Sequence, residues 1–301
     1  MEGKLRINES LARHTSFKIG GAAQFWFEPK NLSDLQKSIF FARSKRKPLR
    51  IIGAGSNILV DDRGIKGIVI KLNSPYFKRV AVNPALSYLK PTSLSRKGGI
   101  NQQVVMAGAG VSLNQLIRYV QKFGLSGCEL LAGIPGTVGG ALIMNAGNIG
   151  YNVLNVTVMD KQGRVKVLNR NNIRFNYRSS SLNRYIILSV NFKLLKKGRK
   201  TVKKKIDDYL DYRQKTQDLS CPSAGCIFRN PNSKSAAYFV ERCGLKGISF
   251  GDAAVSFKHA NFIINRGKAS FADILRLMAY ITRCVKKRFN IDLKPEIRIW
   301  R

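Results

Sequence analysis

The sequence predicts an α+β fold in two domains, over residues 1–200 and 201–301. Segments rich in β-branched and aromatic residues alternate with amphipathic helices and glycine turns through the first 200 residues. A separate set of loops, helices and strands follows a polar, helix-forming stretch that begins near Thr201. With 301 residues, 44% of them hydrophobic, the chain has enough apolar side chains for two cores.

The first domain divides into two predicted subdomains, about 1–72 and 73–200. Strand composition is predicted for 16–29, 49–60 and 64–72, the last as a half-buried alternating strand. Helical spacing covers 31–45 after an Asn or Ser cap. The segment 73–102 is weakly patterned and longer than connections in compact domains usually are, so we interpret it as one hairpin plus a loop.

The second subdomain opens with a strand, a glycine turn and an amphipathic helix over 103–125. A hairpin over 155–168 is predicted to turn at Gln162 and Gly163, and 185–194 is a strongly apolar strand. The second domain contains an amphipathic helix, a strand and a final helix, predicted over 235–245, 259–267 and 270–291. Ser270 caps that last helix, and cationic residues lie near its end.

An uncharged segment, GIPGTVGGALIMNAG at 133–147, contains five glycines in fifteen positions. Together with 130–132 it reaches eighteen uncharged residues, a length at which a membrane span must be considered. Repeated glycines and Pro135 break helical propensity, so we exclude a span. The segment is one of four glycine-rich turns of the first domain, which begin at Gly20, Gly53, Gly108 and Gly133.

These turns predict a large phosphorylated cofactor. Backbone without Cβ atoms lets N–H groups approach a ligand closely, and oriented amides form nests for phosphate oxygens. None of the turns has the GxGxxG spacing of a Rossmann fold or the spacing of a P-loop. Tight turns without a ligand are the alternative interpretation of the same glycines.

Charge and cysteine content narrow the function class. The chain has 53 basic and 17 acidic residues, a formal net charge of +36. No nucleic-acid-binding motif accompanies the basic residues, so a solvated basic surface that attracts phosphorylated ligands is favoured over a nucleic-acid binder. Five scattered cysteines and two histidines predict reduced thiols and no metal site. No segment resembles a signal peptide, which predicts a cytoplasmic protein.

Seven segments occur in a familiar order and spacing: HTSFKIGGAA, GAGSNILV, GIPGTVGGALIMNAGNIG, FNYRSSSL, PSAGCIFRNP, HANFIINRG and PEIRIW. Over about 11–300 the chain thereby resembles the UDP-N-acetylenolpyruvoylglucosamine reductase (UDP-N-acetylmuramate dehydrogenase) family. It looks like the shorter of two subtypes, since no additional loop precedes CPSAGC. The resemblance implies a two-part FAD-binding domain of the vanillyl-alcohol-oxidase type plus a smaller C-terminal α+β substrate-binding domain.

The resemblance also implies a reaction with FAD and NADPH. NADPH reduces FAD, and the enolpyruvyl ether of UDP-N-acetylglucosamine is then reduced at C3 to give UDP-N-acetylmuramate, a peptidoglycan precursor needed for cell-wall biogenesis, cell shape and cell division. Negative charge develops on the substrate carboxylate as an enolate, and C2 must then receive a proton. Such chemistry requires a cation, a hydrogen-bonding partner and an acid.

Three residues match catalytic positions of the family. Arg178 matches the arginine that clamps the carboxylate, and Glu296 matches a second catalytic residue, for which Arg178 or Arg298 is a candidate partner. Cys226 stands where the family commonly has a serine that protonates C2. A thiol yields its proton more readily than an alcohol, so the role can persist. A buried, inert cysteine is the alternative.

The remaining site residues also follow from the resemblance. Substrate contacts are expected at Asn230, His259 and Arg298. The expected FAD-binding positions are Gly20, Gly21, Gly53, Ala54, Gly55, Ser56, Asn57, Ile58, Gly108, Gly110, Gly133, Pro135, Gly136, Thr137, Gly139, Gly140, Asn145, Ala146 and Gly147. We expect a monomer that acts on small molecules. The rival hypotheses are another FAD-dependent oxidoreductase of the superfamily and a basic nucleic-acid-binding protein on this fold.

Overall fold

The structure is a computed structural model that describes residues 2–82, 102–231 and 233–301. The chain forms two compact units. Unit 1 comprises Met1–Lys4, Phe27–Gly53 and Ile70–Tyr212, and unit 2 comprises Leu5–Trp26, Ala54–Val69 and Arg213–Arg301. Both units are discontinuous in sequence, whereas the predicted domains are continuous. The predicted limits at 72 and 200 stay a prediction.

The described helices are α1 (Leu32–Ser44), α2 (Leu113–Phe123), α3 (Val138–Met144), α4 (Arg199–Thr216), α5 (Ala236–Arg242) and α6 (Phe271–Phe289). The described strands are β1 (Lys4–Ser10), β2 (Ala22–Glu28), β3 (Leu49–Ile52), β4 (Ile58–Val60), β5 (Ile65–Lys71), β6 (Val80–Val82), β7 (Gln102–Gly108), β8 (Leu125–Ser126), β9 (Val153–Met159), β10 (Val165–Asn169), β11 (Phe175–Asn176), β12 (Ser179–Ser180), β13 (Ile186–Lys196), β14 (Ser223–Cys226), β15 (Ser249–Phe250), β16 (Ala253–Val255), β17 (Phe262–Asn265) and β18 (Arg298–Trp300).

Unit 1 contains an antiparallel sheet in the order β10–β9–β13–β7–β6, with β8 paired to β13. The predicted hairpin is confirmed as β9 and β10, because Asp160 Oδ1 accepts hydrogen bonds from Gln162 N and Arg164 N, and Gly163 turns at φ +83°. The predicted apolar strand is confirmed as β13. β6 pairs with β7 as two hairpin arms would, but most of the predicted hairpin and loop, 83–101, lies outside the described residues.

Capping residues define the helix boundaries, and the caps of the first and last helices were predicted from the sequence. Asn31 caps α1 by accepting a hydrogen bond from Asp34 N, as predicted. Ser112 forms a capping box at the start of α2, and Gly124 ends that helix in the left-handed conformation. Ser270 forms the capping box of α6, whose last turn carries three cations, so the predicted final helix is confirmed.

Unit 2 is built around the antiparallel sheet β14–β17–β16–β15 and the buried face of α6. Apolar side chains from α5, α6 and this sheet share one core with Phe17 and Leu59. The closing strand β18 pairs with β4 in parallel. β5 differs from its predicted alternation, because only Lys66 is exposed along it. The consecutive residues Ile68, Val69 and Ile70 are all buried, so both faces of the strand are covered.

Two further properties concern the described residues as a set. No helix among them is long and apolar enough to cross a membrane. Within the same residues, no three His, Cys, Asp or Glu side chains cluster as metal ligands would. None of the five cysteines, all of which lie within the described residues, forms a disulfide. Burial of Cys128 raises the pKa of its thiol to about 12.

Candidate functional site

In unit 1, the uncharged glycine segment forms a turn followed by the short helix α3. Gly133 turns the chain at φ +72°, and the side chain of Thr137 caps α3 by accepting a hydrogen bond from Gly140 N at 3.3 Å. A Cβ built on Gly140 would meet only this Thr137 hydroxyl, at 3.5 Å. The exposed side of Gly140 therefore leaves the backbone open to a ligand. Gly139 instead faces Ala109, whose Cβ would lie 3.1 Å from an added Cβ.

Two other glycines of unit 1 are required by the protein's own packing. A Cβ on Gly108 would lie 2.2 Å from the backbone oxygen of Phe77, and one on Gly110 would lie 1.9 Å from that of Leu72. The N–H of Gly110 donates to the Phe77 oxygen as well. Close backbone packing thus explains why these positions lack side chains, and their contact with a cofactor stays a prediction.

The chain leaves α3 through three left-handed residues, one of which is hydrogen-bonded to the hairpin β11–β12. Asn145, Gly147 and Asn148 have φ of +47°, +54° and +53°. The Asn145 side chain accepts a hydrogen bond from Gly150 N and donates one to the backbone oxygen of Asn176, each at 3.1 Å. Asn145, predicted as an FAD contact, therefore also positions the hairpin that follows.

That hairpin, β11–β12, presents Arg178. Phe175 pairs with Ser180 and Asn176 with Ser179, so Tyr177 and Arg178 form a two-residue turn. Arg178 is half-buried, has φ +54°, and lies 5.6 Å from the centre of the Tyr177 ring. A left-handed conformation costs a residue with a Cβ about 1–2 kcal/mol. Such strain persists where the surrounding structure enforces it, which is common at functional sites.

In unit 2, residues 54–56 form a candidate anion nest. Gly55 has φ +67°, and a Cβ there would lie 2.0 Å from the backbone oxygen of His14. Ser16 N donates to the Gly55 oxygen at 3.1 Å, which fixes the turn. Among the described residues, the backbone N–H groups of Ala54, Gly55 and Ser56 have no acceptor. Successive N–H groups around a left-handed glycine suit phosphate oxygens, so this turn fits a pyrophosphate.

The predicted glycine pair of unit 2 has a packing role. Gly21 N donates to the backbone oxygen of Asp61, and a Cβ on Gly21 would lie 2.1 Å from that of Asp62. Gly20, at φ +131°, has Val60 2.8 Å from its Cβ position. Both glycines allow the chain to pack on residues 60–62, and their predicted FAD contact is again untested.

Cys226 ends β14 beside a β-bulge. Ser223 pairs with Ile264 and Cys226 with Phe262, so one more residue lies on β14 than on β17 in this interval. Gly225 makes the bulge possible at φ +73°. A bulge changes the direction in which the following side chain points, a device often found beside active sites. Cys226 is half-buried and forms no disulfide.

Asn261 fixes the backbone that follows Cys226. Its buried side chain accepts a hydrogen bond from Phe228 N at 3.0 Å and donates one to the Phe228 oxygen at 2.8 Å. Ile227 N donates to the Asn261 backbone oxygen at 2.9 Å. We did not identify Asn261 from the sequence as a site residue, although it belongs to the HANF motif.

The C-terminal segment places Glu296 and Arg298 beside this strand. Glu296 N donates to the Ile227 oxygen at 2.7 Å, and Arg298 N donates to the Asn57 oxygen at 2.9 Å. The Asn57 side chain donates to the Glu296 backbone oxygen at 3.4 Å. Glu296 is buried, with 9% of its surface exposed. One hydrogen-bonded backbone therefore connects the residue after Cys226 with Glu296, Arg298 and the nest loop.

Two arginines give this part of unit 2 a positive field. Burial of the Arg298 guanidinium, together with the charge of Arg229, lowers the pKa of Arg298. The residue keeps an exposed surface, and arginine stays charged at any physiological pH. A poorly solvated cation with a like charge nearby gains from a bound anion. Arg229 was not among the residues predicted from the sequence, because a basic chain offers many equivalent arginines.

His259 and Asn230 lie on two other loops of unit 2. Burial is the main cause that lowers the pKa of His259, which is therefore neutral at pH 7. Its Nδ1 accepts a hydrogen bond from Asn261 N at 3.2 Å, an arrangement that assigns the proton to Nε2. Asn230 is exposed, and its side-chain oxygen accepts a hydrogen bond from Ala236 N at the start of α5.

The predicted site residues are thus distributed over both units. Unit 1 holds Arg178 with the FAD positions Gly53, Gly108, Gly110, Gly133, Pro135, Gly136, Thr137, Gly139, Gly140, Asn145, Ala146 and Gly147. Unit 2 holds Cys226, Glu296, Asn230, His259 and Arg298 with the FAD positions Gly20, Gly21, Ala54, Gly55, Ser56, Asn57 and Ile58.

Family profiles match both parts of the chain. The profile of the FAD binding domain matches residues 23–169, and that of the UDP-N-acetylenolpyruvoylglucosamine reductase C-terminal domain matches residues 214–300. The UDP-N-acetylenolpyruvoylglucosamine reductase of Caldanaerobacter subterraneus subsp. tengcongensis is 38% identical over 99% of this chain and 94% of its own length. This chain belongs to that family.

Two further relatives agree. The UDP-N-acetylenolpyruvoylglucosamine reductase of Clostridium botulinum (strain 657 / Type Ba4) is 40% identical over 97% of this chain and 91% of its own length. The crystal structure of UDP-N-acetylenolpyruvylglucosamine reductase from Thermus caldophilus superposes with a TM-score of 0.80, at 29% identity, over 100% of both chains. The predicted fold, an FAD-binding domain of the vanillyl-alcohol-oxidase type plus the reductase's C-terminal domain, is confirmed, and the chain is an FAD-dependent oxidoreductase. The nucleic-acid-binding alternative is not favoured.

Proposed function

We propose that this oxidoreductase reduces UDP-N-acetylglucosamine enolpyruvate to UDP-N-acetylmuramate with NADPH as the hydride donor. The observation that carries the proposal lies in unit 2, where Cys226, the buried Glu296 and the partly desolvated cation Arg298 are held by one hydrogen-bonded backbone. A proton donor and a cation are the groups that reduction of an enolpyruvyl carboxylate requires. The names of the relatives support the same substrate.

The chain's residues fit FAD. When bound, FAD accepts a hydride from a nicotinamide and delivers it to a substrate carbon. The unsatisfied N–H groups of Ala54, Gly55 and Ser56 would hold the pyrophosphate, and the open backbone at Gly140 would allow close approach of the cofactor. The other predicted FAD positions stay proposals on the same basis.

Arg178 would bind the substrate carboxylate. A planar guanidinium can donate to both carboxylate oxygens and stabilise the enolate that forms as charge moves onto them. The turn conformation of Arg178, with φ +54°, keeps the guanidinium beside the Tyr177 ring instead of along a strand. We therefore assign the strain at this position to function.

Cys226 would supply the proton. After hydride addition at C3, the enolate carbon C2 takes a proton from Cys226 Sγ, and the resulting thiolate is reprotonated from solvent. The bulge at Gly225 directs this side chain, and Asn261 holds the backbone after it. Glu296, which is buried, would hydrogen-bond in the same site.

The remaining groups would bind the nucleotide sugar. Arg298 and Arg229 provide an anion-attracting field for the diphosphate or carboxylate. The neutral His259 can donate from Nε2 without adding charge, and Asn230 can contribute its amide group. These contacts would orient the substrate and take no part in proton transfer.

The decisive experiment separates the two halves of the reaction. Anaerobic addition of NADPH should bleach the flavin absorbance of the purified protein, and the enolpyruvyl nucleotide sugar should then restore it and yield UDP-N-acetylmuramate. Comparing the rates at which NADH and NADPH bleach the flavin absorbance gives the preference for one nicotinamide over the other. If NADPH bleaches the flavin and this substrate does not restore it, the alternative oxidoreductase with another anionic substrate is correct.

The cellular setting follows from the proposed reaction. The product is a peptidoglycan precursor, so we propose a cytoplasmic enzyme of cell-wall biogenesis that influences cell shape and division. We also propose a monomer whose partners are small molecules. Light scattering of the flavin-loaded protein tests the second statement, because a dimer would have twice the 33.7 kDa mass of one chain.

A further inference from the structure

Unit 1 carries a concentrated basic surface that the oxidoreductase chemistry does not use. It comprises the end of β13, the turn after it and the first half of α4, and we call it the basic face. Its residues are Lys193, Lys196, Lys197, Arg199, Lys200, Lys203, Lys204 and Lys205, and all of them are exposed. Lys196 Nζ donates to the backbone oxygen of Phe123 at 2.6 Å, which joins the end of α2 to this surface.

The positions of the basic residues along α4 destabilise the helix. Arg199 and Lys200 occupy its first turn, which contains no acidic residue. Cations at a helix N-terminus interact unfavourably with the helix dipole. Arg199 and Lys203, like Lys200 and Lys204, are four residues apart, a spacing at which like charges repel. A bound external anion would relieve both penalties.

The ion pair that involves the basic face neutralises little of its positive charge. Lys203 pairs with Asp207 at 2.5 Å, and both side chains are exposed to solvent. Such exposed pairs contribute little. Val202 and Ile206 are the buried residues of α4, so almost the whole circumference of its first half faces water. The basic face is therefore available to a partner.

The shape of the basic face favours a broad anionic surface over a nucleic-acid strand. Its helical part, seven residues, is about 10 Å long, and Asp207, Asp208 and Asp211 follow immediately and would repel a polyanion that continued along the helix. The exposed aromatic residue of α4, Tyr212, lies among those acids, so no exposed ring is available on the basic half for base stacking. Seven of the eight charges are lysines, which act as hydrated point charges without bidentate geometry.

From these observations we propose that the basic face docks the enzyme on an anionic lipid surface. Clusters of four to eight Lys and Arg residues are sufficient for such peripheral association, which needs no inserted segment. Each basic residue near an anionic surface contributes about fivefold in affinity. The association would bring the enzyme to a bilayer and leave its reaction unchanged, because the basic face lies outside the residues assigned to catalysis and substrate binding.

The test is co-sedimentation of the flavin-loaded protein with vesicles. Vesicles of phosphatidylcholine with 30% phosphatidylglycerol should retain the protein at low salt, release it as salt rises, and bind it far better than pure phosphatidylcholine. The variant Lys200→Gln, Lys203→Gln, Lys204→Gln and Lys205→Gln should lose at least about tenfold in vesicle affinity. It should keep full turnover and, with the repulsion removed, the same or a higher melting temperature.

A matched control removes four charges elsewhere. Lys37→Gln, Lys45→Gln, Lys268→Gln and Lys287→Gln change exposed lysines with the same effect on net charge. Equal loss of vesicle binding in the control would overturn the proposal, because net charge alone would then explain the binding. Retention of the unmodified protein by pure phosphatidylcholine would overturn it as well. Binding of a mixed-sequence RNA that depends on the same four lysines, without vesicle binding, would replace the lipid with a nucleic acid.

Discussion

Replacing Arg178 by glycine should give a more stable protein than replacing it by alanine, and either change should strongly slow the second half of the reaction. Arg178 has φ +54°, which costs a residue with a Cβ about 1–2 kcal/mol. Glycine removes that cost but adds about 0.5–1 kcal/mol of backbone entropy in the unfolded chain. The matched variant Arg178→Ala loses the same guanidinium and the same contact with Tyr177 but keeps the strain. The free energy of unfolding of the glycine variant should therefore exceed that of the alanine variant by about 0.5–1 kcal/mol.

Two measurements check this prediction. The melting temperature of Arg178→Gly should lie about 1–4 °C above that of Arg178→Ala. In stopped-flow traces, both variants should show normal flavin reduction by NADPH and reoxidation by the enolpyruvyl substrate slowed about 10²–10³-fold, the usual effect of removing one group that stabilises a developing oxyanion. Equal stability of the two variants would refute the argument from strain. Equal slowing of both half-reactions would refute the assigned role of Arg178.

Three further predictions concern unit 2. Cys226→Ala should leave flavin reduction intact and slow substrate reduction about 10²–10⁴-fold, with recovery in Cys226→Ser; unchanged turnover of the alanine variant would exclude the thiol as the acid. Gly55→Ala puts a Cβ 2.0 Å from a backbone oxygen and should lower the FAD content of the purified protein. Gly225→Ala, also left-handed but with no atom within 4 Å of the added Cβ, should leave the FAD content unchanged. Hydrogen bonds from Arg63 lower the pKa of Asp61 from 3.8 to about 2, so the carboxylate stabilises the fold above pH 3.8 and loses this contribution as the pH falls towards 2. Asp61→Asn should therefore be less acid-sensitive than the unmodified protein in urea unfolding at pH 5 and pH 2.5, and equal sensitivity would contradict the assigned pair.

Helix caps, turns and apolar strands could be predicted from the sequence, because the residues that produce each of them lie within one short stretch of the chain. Asn31 and Ser270 cap helices because a side-chain oxygen needs only the N–H three residues ahead. The turn at Gly163 and the apolar strand β13 follow from turn chemistry and composition in the same way. Seven ordered motifs were sufficient to identify the family, and the full-length relatives confirm it.

The surroundings of individual glycines could not be predicted from the sequence. The sequence places Gly108, Gly110 and Gly140 in similar turns and predicts the same contact for all three. In the structure, backbone oxygens lie at the Cβ positions of Gly108 and Gly110, whereas a Cβ on Gly140 would meet only the Thr137 hydroxyl at 3.5 Å. Which atoms approach a glycine depends on residues distant in the chain, such as Phe77 and Leu72, and a single sequence does not contain that information.

Sequence patterns alone are sufficient to predict the family, the cofactor class, and the helices and strands that depend on neighbouring residues. Three features appear only in the folded chain. Asn261 holds the backbone after Cys226, Glu296 is buried beside that backbone, and Arg229 places a second positive charge near Arg298. The two groups of features differ in the distance along the chain over which their interactions act. Capping and turn formation act over three or four residues, whereas burial, backbone approach and charge coupling depend on which distant segments the folded chain brings together.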